Sequence, residues 1–289
     1  MICSACPRKC NADRNKSVGF CLSPDKFRVA RAALHYWEEP CISGENGSGT
    51  VFFSGCNLRC VYCQNYEISR ENKGLEISDD KLIEIFESLI AQGANNINLV
   101  NPTHYADRLA KVLSEWQSPV PVVYNSSGYE CVNTIKKLDG LIDVYLPDLK
   151  YIRNDKALRY SRAEDYFERA SKVISEMRRQ VKDRFDCDGI MQSGLIVRHL
   201  ILPQNTNSSI EILKWIKENL PDTYVSLMAQ YTPCGNLDDT PELKRKITQR
   251  EYDKVADFAV LNNFEKLFLQ ELESADSDFI PKFDFTGIL

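Results

Sequence analysis

The stretch TVFFSGCNLRCVYCQN, residues 50–65, carries a short apolar run directly into a loop crowded with cysteine. TVFFS (50–54) is β-branched and aromatic and reads as a strand. The loop behind it holds Cys56, Cys60 and Cys63 in a C-x3-C-x2-C array, with Tyr62 just before the last cysteine.

The pattern continues outward from that strand. SDDKLIEIFESLIAQG (78–93) opens with Ser78 as an N-cap and acids in its first turn. It then sets Leu82, Ile85, Phe86 and Leu89 on one face, as an amphipathic helix does. INLV (97–100), VPVVY (120–124), LIDVYL (141–146), LIVRHLIL (195–202) and TYVSLMAQ (223–230) are further β-rich runs separated by helical patterns. Their continuous apolarity suits strands covered on both faces of a parallel sheet. Six β/α units in succession predict an α/β fold, a partial (β/α)6 barrel of the TIM type. A doubly wound open sheet is the alternative, because β/α alternation alone does not separate the two.

A barrel places chemistry on the loops that leave the C-terminal ends of its strands. The cysteine array follows the first strand, NPTHY (101–105) the second, NSSGY (125–129) the third, PDLKY (147–151) the fourth and PQNTNSS (203–209) the fifth. The predicted organisation is a cysteine-rich metal-binding segment over 1–45, the barrel over 46–240 and a helix/strand extension over 241–289.

Composition narrows the function classes. The 36 basic and 41 acidic side chains leave a formal charge of −5, so the footprint of a dedicated nucleic-acid binder is missing. The amino terminus, MICSACPRKC, has no apolar signal core, and no run of eighteen apolar residues follows. The expectation is a cytoplasmic protein that binds neither membrane nor nucleic acid. Eleven cysteines in a reducing compartment point to metal or redox chemistry rather than to disulfides.

Thiolates select zinc or iron–sulfur clusters, and a closed structural zinc site takes four protein ligands. Three cysteines leave a position open, as on a 4Fe-4S cubane whose fourth iron takes an outside ligand. The alternative is three buried small hydrophobes, but a polar loop with Arg59 and Gln64 is a poor setting for them.

C-x3-C-x-aromatic-C at the end of a first barrel strand resembles the signature of the radical S-adenosylmethionine (SAM) superfamily. GSGTVFFSGCNLRCVYCQNYEIS (47–69) is similar in particular to the activating enzymes of pyruvate formate-lyase and other glycyl-radical enzymes, and to a subgroup of uncharacterised homologues of these. CSACPRKCNADRNKSVGFC (3–21), HYWEEPCISGENGSGT (35–50) and ITQREYDKVADF (247–258) extend the likeness over nearly the whole chain.

The resemblance implies that Cys56, Cys60 and Cys63 ligate a 4Fe-4S cluster whose open iron chelates SAM, with Tyr62 near the adenine. LVNPTHY (99–105) stands where relatives often have Gly-Gly-Glu, so the backbone carbonyls of Asn101 to Thr103 are the substitute contacts for the SAM amino group. Asn125 and Ser126 match positions that approach SAM; some activators carry a cation-binding aspartate where this chain has Asn125, which puts such a cation in doubt. Asp148 and Lys150 match an Asp-x-Lys pair, the lysine meeting the SAM carboxylate and the aspartate orienting it. Arg198, on an apolar strand, needs an anion and is a further SAM contact. His199 faces the other way and reads as a core histidine, while His104 serves either as an acid or base or as a helix cap.

Cys3, Cys6, Cys10 and Cys21 have the arithmetic of a four-ligand site. Zinc is the first expectation there and a second cluster the alternative, with Cys41 or His35 as substitute ligands. The closing FLQELESADSDFIPKFDFTGIL (268–289) is expected to cover the open side of the barrel or to shape substrate access.

The activity implied is reductive cleavage of SAM followed by hydrogen abstraction. A flavodoxin or ferredoxin would supply the electron. The substrate is a glycine on a partner protein, or alternatively a peptide or small molecule. A zinc-stabilised binding protein without catalysis is the remaining class.

Overall fold

A computed structural model describes residues 2–270, 272 and 281–289. They build a ten-stranded sheet whose strands are β1 (Phe27–His35), β2 (Ser48–Phe53), β3 (Leu75–Ile77), β4 (Ile97–Val100), β5 (Val122–Ser126), β6 (Val144–Pro147), β7 (Arg184–Phe185), β8 (Met191–Leu200), β9 (Tyr224–Met228) and β10 (Leu267–Leu269).

The spatial order β10-β9-β8-β6-β5-β4-β2-β1-β3 decides between the two architectures. From β2 to β10 the parallel strands follow one another in chain order with no reversal. A doubly wound sheet reverses its order at a switch point, and none occurs here. The fold is an open, partial TIM-type barrel, with β3 and β10 as its outermost strands.

All six strands read from the sequence are present, as β2, β4, β5, β6, β8 and β9, and a seventh parallel strand, β10, pairs with β9. β1 falls inside the segment expected to be cysteine-rich and metal-binding. It runs antiparallel to β2, from Val29 opposite Phe53 to His35 opposite Ser48, with an irregularity between Val29 and Arg31. Ser78 caps the helix Asp79–Ala91 by accepting the backbone N–H of Lys81.

Alternation along the strands makes two interiors. Outward residues such as Val122, Tyr124, Leu195, Val197, Val225 and Leu227 pack against the surrounding helices in one large core. Inward residues Val123, Val144, Leu146 and Ile196 meet Cys41 and Ile42, which close the lower end of the lumen. Above that plug the inward positions turn polar, at Asn98, Asn125, Arg198 and Ser226, all on the same face as the apolar plug.

The last described stretch returns to β1. Ala32 donates to the Thr286 carbonyl at 2.9 Å, Phe285 donates to Ala30 at 3.1 Å, and Phe283 packs edge-on against Phe52 at 5.5 Å. Of the closing segment, positions 271 and 273–280 lie outside the described residues. Among the described residues no helix is long and apolar enough to cross a membrane.

Candidate active site

β2 delivers the chain into the cysteine loop through Gly55 at φ +87°, where a Cβ would fall 2.5 Å from the Cys21 carbonyl oxygen. Only glycine fits so close an approach. Asn101, at φ +58°, donates its side-chain amide to the Gly55 carbonyl and ties the β4 loop to this turn. The Cys56 Sγ accepts the backbone N–H groups of Leu58 at 3.3 Å and Arg59 at 3.5 Å. Cys60 Sγ accepts the Ser161 hydroxyl at 2.9 Å. Burial, reinforced by the neighbouring thiols, pushes Cys56 up to about 12 and Cys63 to about 11. A bound metal would reverse that preference, because it favours the thiolate.

Cys56, Cys60 and Cys63 form one wall of a cavity of about 240 Å³ at the C-terminal ends of the strands. Their burial and their donors suit a cluster, which would be held by these three thiolates with one iron left to an outside ligand. Tyr62 lies on the same wall, its hydroxyl 2.7 Å from that of Tyr151.

The other wall is ionic. Asp148 and Lys150, just past β6, are two residues apart and pair at 2.5 Å. Arg198 on β8 contacts Asp148 at 3.3 Å and Glu38 at 2.9 Å, and also donates to the Asn125 side-chain oxygen. Glu38 in turn accepts from Asn98 at 3.0 Å and from Asn125 at 3.3 Å. Burial alone would raise the Asp148 pKa, but Lys150 and Arg198 outweigh it and hold the group below its ordinary value. Burial works against the Lys150 charge, yet Asp148 and the Cys60 thiol hold its pKa above normal. Buried Glu39 is pushed up by desolvation, against the pull of Arg198. Asp148 and Lys150 therefore stay charged although they are nearly dry, whereas burial favours the neutral form of Glu39.

The sequence profile of the radical SAM superfamily matches residues 50–216, more than half of the chain. The chain belongs to the radical SAM superfamily. It is 29% identical over 276 residues to the uncharacterised protein MJ0674 of Methanocaldococcus jannaschii, covering 92% of this chain and 76% of that one. Among solved structures it resembles SuiB of Streptococcus suis, with a TM-score of 0.52, 15% identity, and coverage of 79% of this chain and 50% of that one. The FeFe-hydrogenase maturase HydG of Carboxydothermus hydrogenoformans gives 0.50 and 14%, over 80% of this chain and 56% of that one. The chain thus spans about half the length of these two structures, and at such identities the likeness is one of fold.

Against this radical SAM frame, Cys56, Cys60, Cys63, Tyr62, Asn101, Asn125, Ser126, Asp148, Lys150 and Arg198 all line one cavity. Thr103 is not part of that lining; its hydroxyl donates to Glu130 at 2.8 Å, behind the sheet. His104 is likewise turned away from the cavity, its Nε2 2.8 Å from the Ser54 carbonyl. Burial, aided by Arg14, lowers its pKa to about 3, which removes it as an acid or base at this cavity. Both residues turn away because NPTHY closes into a 3-10 turn over Thr103–Tyr105 instead of staying extended. His199 is buried with both ring nitrogens engaged, Nδ1 2.7 Å from the Leu149 carbonyl and Nε2 2.9 Å from the Ser209 hydroxyl.

Sequence reading missed Glu38, Trp37, Met228 and Gln230 on the cavity wall. For Glu38 a signal existed: Arg198 required an anion, and WEEP (37–40) offered two acids. Cys41 sits in the lumen plug and His35 on the cavity wall, so neither replaces a cysteine of the amino-terminal set. Among the described residues no three His, Cys, Asp or Glu side chains are placed to share one metal ion.

Proposed function

We propose that this chain cleaves SAM reductively and uses the resulting radical to take a hydrogen atom from a glycine of a partner protein, as the activating enzymes of glycyl-radical enzymes do. The observation that carries the proposal is the pairing of two walls in one cavity: three thiols on the loop after β2, and the Asp148–Lys150–Arg198 lattice facing them. When bound, the cluster supplies one electron, from a flavodoxin or ferredoxin, that breaks the sulfonium bond to give methionine and a 5′-deoxyadenosyl radical.

The chain's own residues bind and orient. Lys150, kept cationic by Asp148, meets the SAM carboxylate. Asn125 and Ser126 and the backbone at Asn101 flank the nucleoside, and Tyr62 stands against the adenine with its ring fixed by Tyr151. The apolar wall of Leu58, Ile68, Leu200 and Met228 limits water at the reacting carbon. Trp37, 61% exposed yet part of the cavity lining, gives a partner's loop an aromatic surface at the mouth.

LVNPTHY in place of Gly-Gly-Glu favours a second reading, a radical SAM enzyme acting on a peptide or small molecule. Anaerobic reconstitution followed by dithionite and SAM tests the shared chemistry, and absence of 5′-deoxyadenosine would refute it. Deuterium passing from a labelled glycyl partner into 5′-deoxyadenosine would separate the first reading from the second.

A further inference from the structure

Residues 2–22 contain Cys3, Cys6, Cys10 and Cys21, and they fold on almost no apolar core: Ala5, Cys6 and Cys21 are their buried hydrophobic positions. They are nonetheless tightly turned. The Cys3 N–H donates to the Ala12 carbonyl at 2.9 Å, and Ile2 bridges Asp13, bringing residues 2–13 back on themselves. Lys9 donates to the Cys6 carbonyl at 3.2 Å, with Lys9 at φ +43°, which tightens the turn between Cys6 and Cys10. Gly19 lies against Cys10, where an added Cβ would come 2.5 Å from its Sγ. Cys3, Cys10 and Cys21 are all near enough to act on the Cys6 thiol through space.

We propose that Cys3, Cys6, Cys10 and Cys21 ligate a second iron–sulfur cluster, closed by four protein thiolates, on the side of the radical SAM loop away from the cavity. None of the four lines the cavity. Zinc, the first expectation from the sequence, asks four sulfurs to meet at one point about 2.3 Å from each. No three of these side chains are so placed, and Cys56, Cys60 and Cys63 are no more convergent. Each cysteine of a cluster holds its own iron, so the four sulfurs need not meet at one point.

The site is also wired to its neighbour. The Cys56 N–H donates to the Cys21 carbonyl at 3.2 Å, and Arg8 donates to the carbonyls of Asn57 at 2.7 Å and Ser161 at 2.9 Å. The metal that orders the amino-terminal turns would therefore brace the loop carrying Cys56.

The test uses the full chain with C56A, C60A and C63A together, reconstituted anaerobically with iron and sulfide. The expected result is about four irons per chain, against about eight in the unaltered protein. The reduced chain should give an EPR signal that SAM does not perturb, since no iron is open. Adding C6S and C21S should remove the iron. Three outcomes overturn the proposal: no iron in the triple-alanine chain, zinc in its place, or iron retained after C6S and C21S. Should the five-fold variant misfold, the iron count and the SAM insensitivity of the triple-alanine chain still decide. The inference is separate from the proposed function, because a chain with about eight irons that never forms 5′-deoxyadenosine would refute only the latter.

Discussion

Replacing Arg198 with methionine removes the cation that joins the two acidic elements of the lumen. The Arg198 side chain is 14% exposed, Glu38 11% and Asp148 13%, so the charges left behind have little water to turn to. Lys150 still pairs with Asp148 at 2.5 Å, so the loss falls mainly on Glu38, whose remaining partners are the neutral amides of Asn98 and Asn125. Stripping one partner from a buried ion pair costs about 3–5 kcal/mol, and R198M should lose that much in anaerobic urea unfolding of the reduced apoprotein. E38Q removes the stranded charge, so the double variant E38Q/R198M should be more stable than additivity allows by about 1–3 kcal/mol. The pH dependence follows from Asp148. Its folded pKa lies below its unfolded value, so its contribution is full above the ordinary carboxylate range and disappears as pH falls through the folded value. Deleting Arg198 weakens that depression, and the gap between wild type and R198M should be widest above about pH 5 and should narrow below about pH 4. A loss under about 1 kcal/mol, or single-variant effects that add within about 0.5 kcal/mol, would show that Arg198 and Glu38 do not form the structural pair described here.

Three further outcomes follow from the site and its surroundings. K150M should weaken SAM binding by at least about 30-fold, as expected for removing a buried cation from a carboxylate; calorimetry on the reconstituted protein checks it, and unchanged affinity assigns the SAM carboxylate elsewhere. S161A deletes the hydroxyl donated to Cys60 Sγ at 2.9 Å and should lower the cluster potential by on the order of tens of millivolts in an EPR-monitored titration. His104 has its pKa lowered to about 3, chiefly by burial. Its neutral form is favoured in the folded state, so stability is lost as pH falls through the unfolded value of about 6.5, amounting to about 2 kcal/mol between pH 7 and pH 5. In H104Q that share of the acid sensitivity should vanish from urea-unfolding data, and an unaltered pH slope would contradict the burial of His104.

What could be read from the sequence, and what could not, divides along the range of the forces involved. Continuous apolar runs revealed β2, β4, β5, β6, β8 and β9 because strands covered on both faces must be apolar throughout. β1 escaped because Arg28 and Arg31 interrupt it and because its partner register is supplied by β2. β3 and β7, with three and two residues, are too short to carry a pattern and exist through pairing alone. Spacing within one loop brought Cys56, Cys60 and Cys63 together, and spacing across one strand end did the same for Asp148 and Lys150. The winding was also encoded, though less openly: Asn98, Asn125, Arg198 and Ser226 each put a polar group into an otherwise apolar strand. Isolated polar groups on buried strands are costly unless they share a compartment, and a compartment reached from β4, β5, β8 and β9 is the lumen of a barrel. The partner of Arg198 could not be chosen by such local rules. Glu38 lies 160 positions away and becomes its neighbour only once β1 has joined the sheet, so the anion that Arg198 required was legible as a need before it was legible as a residue.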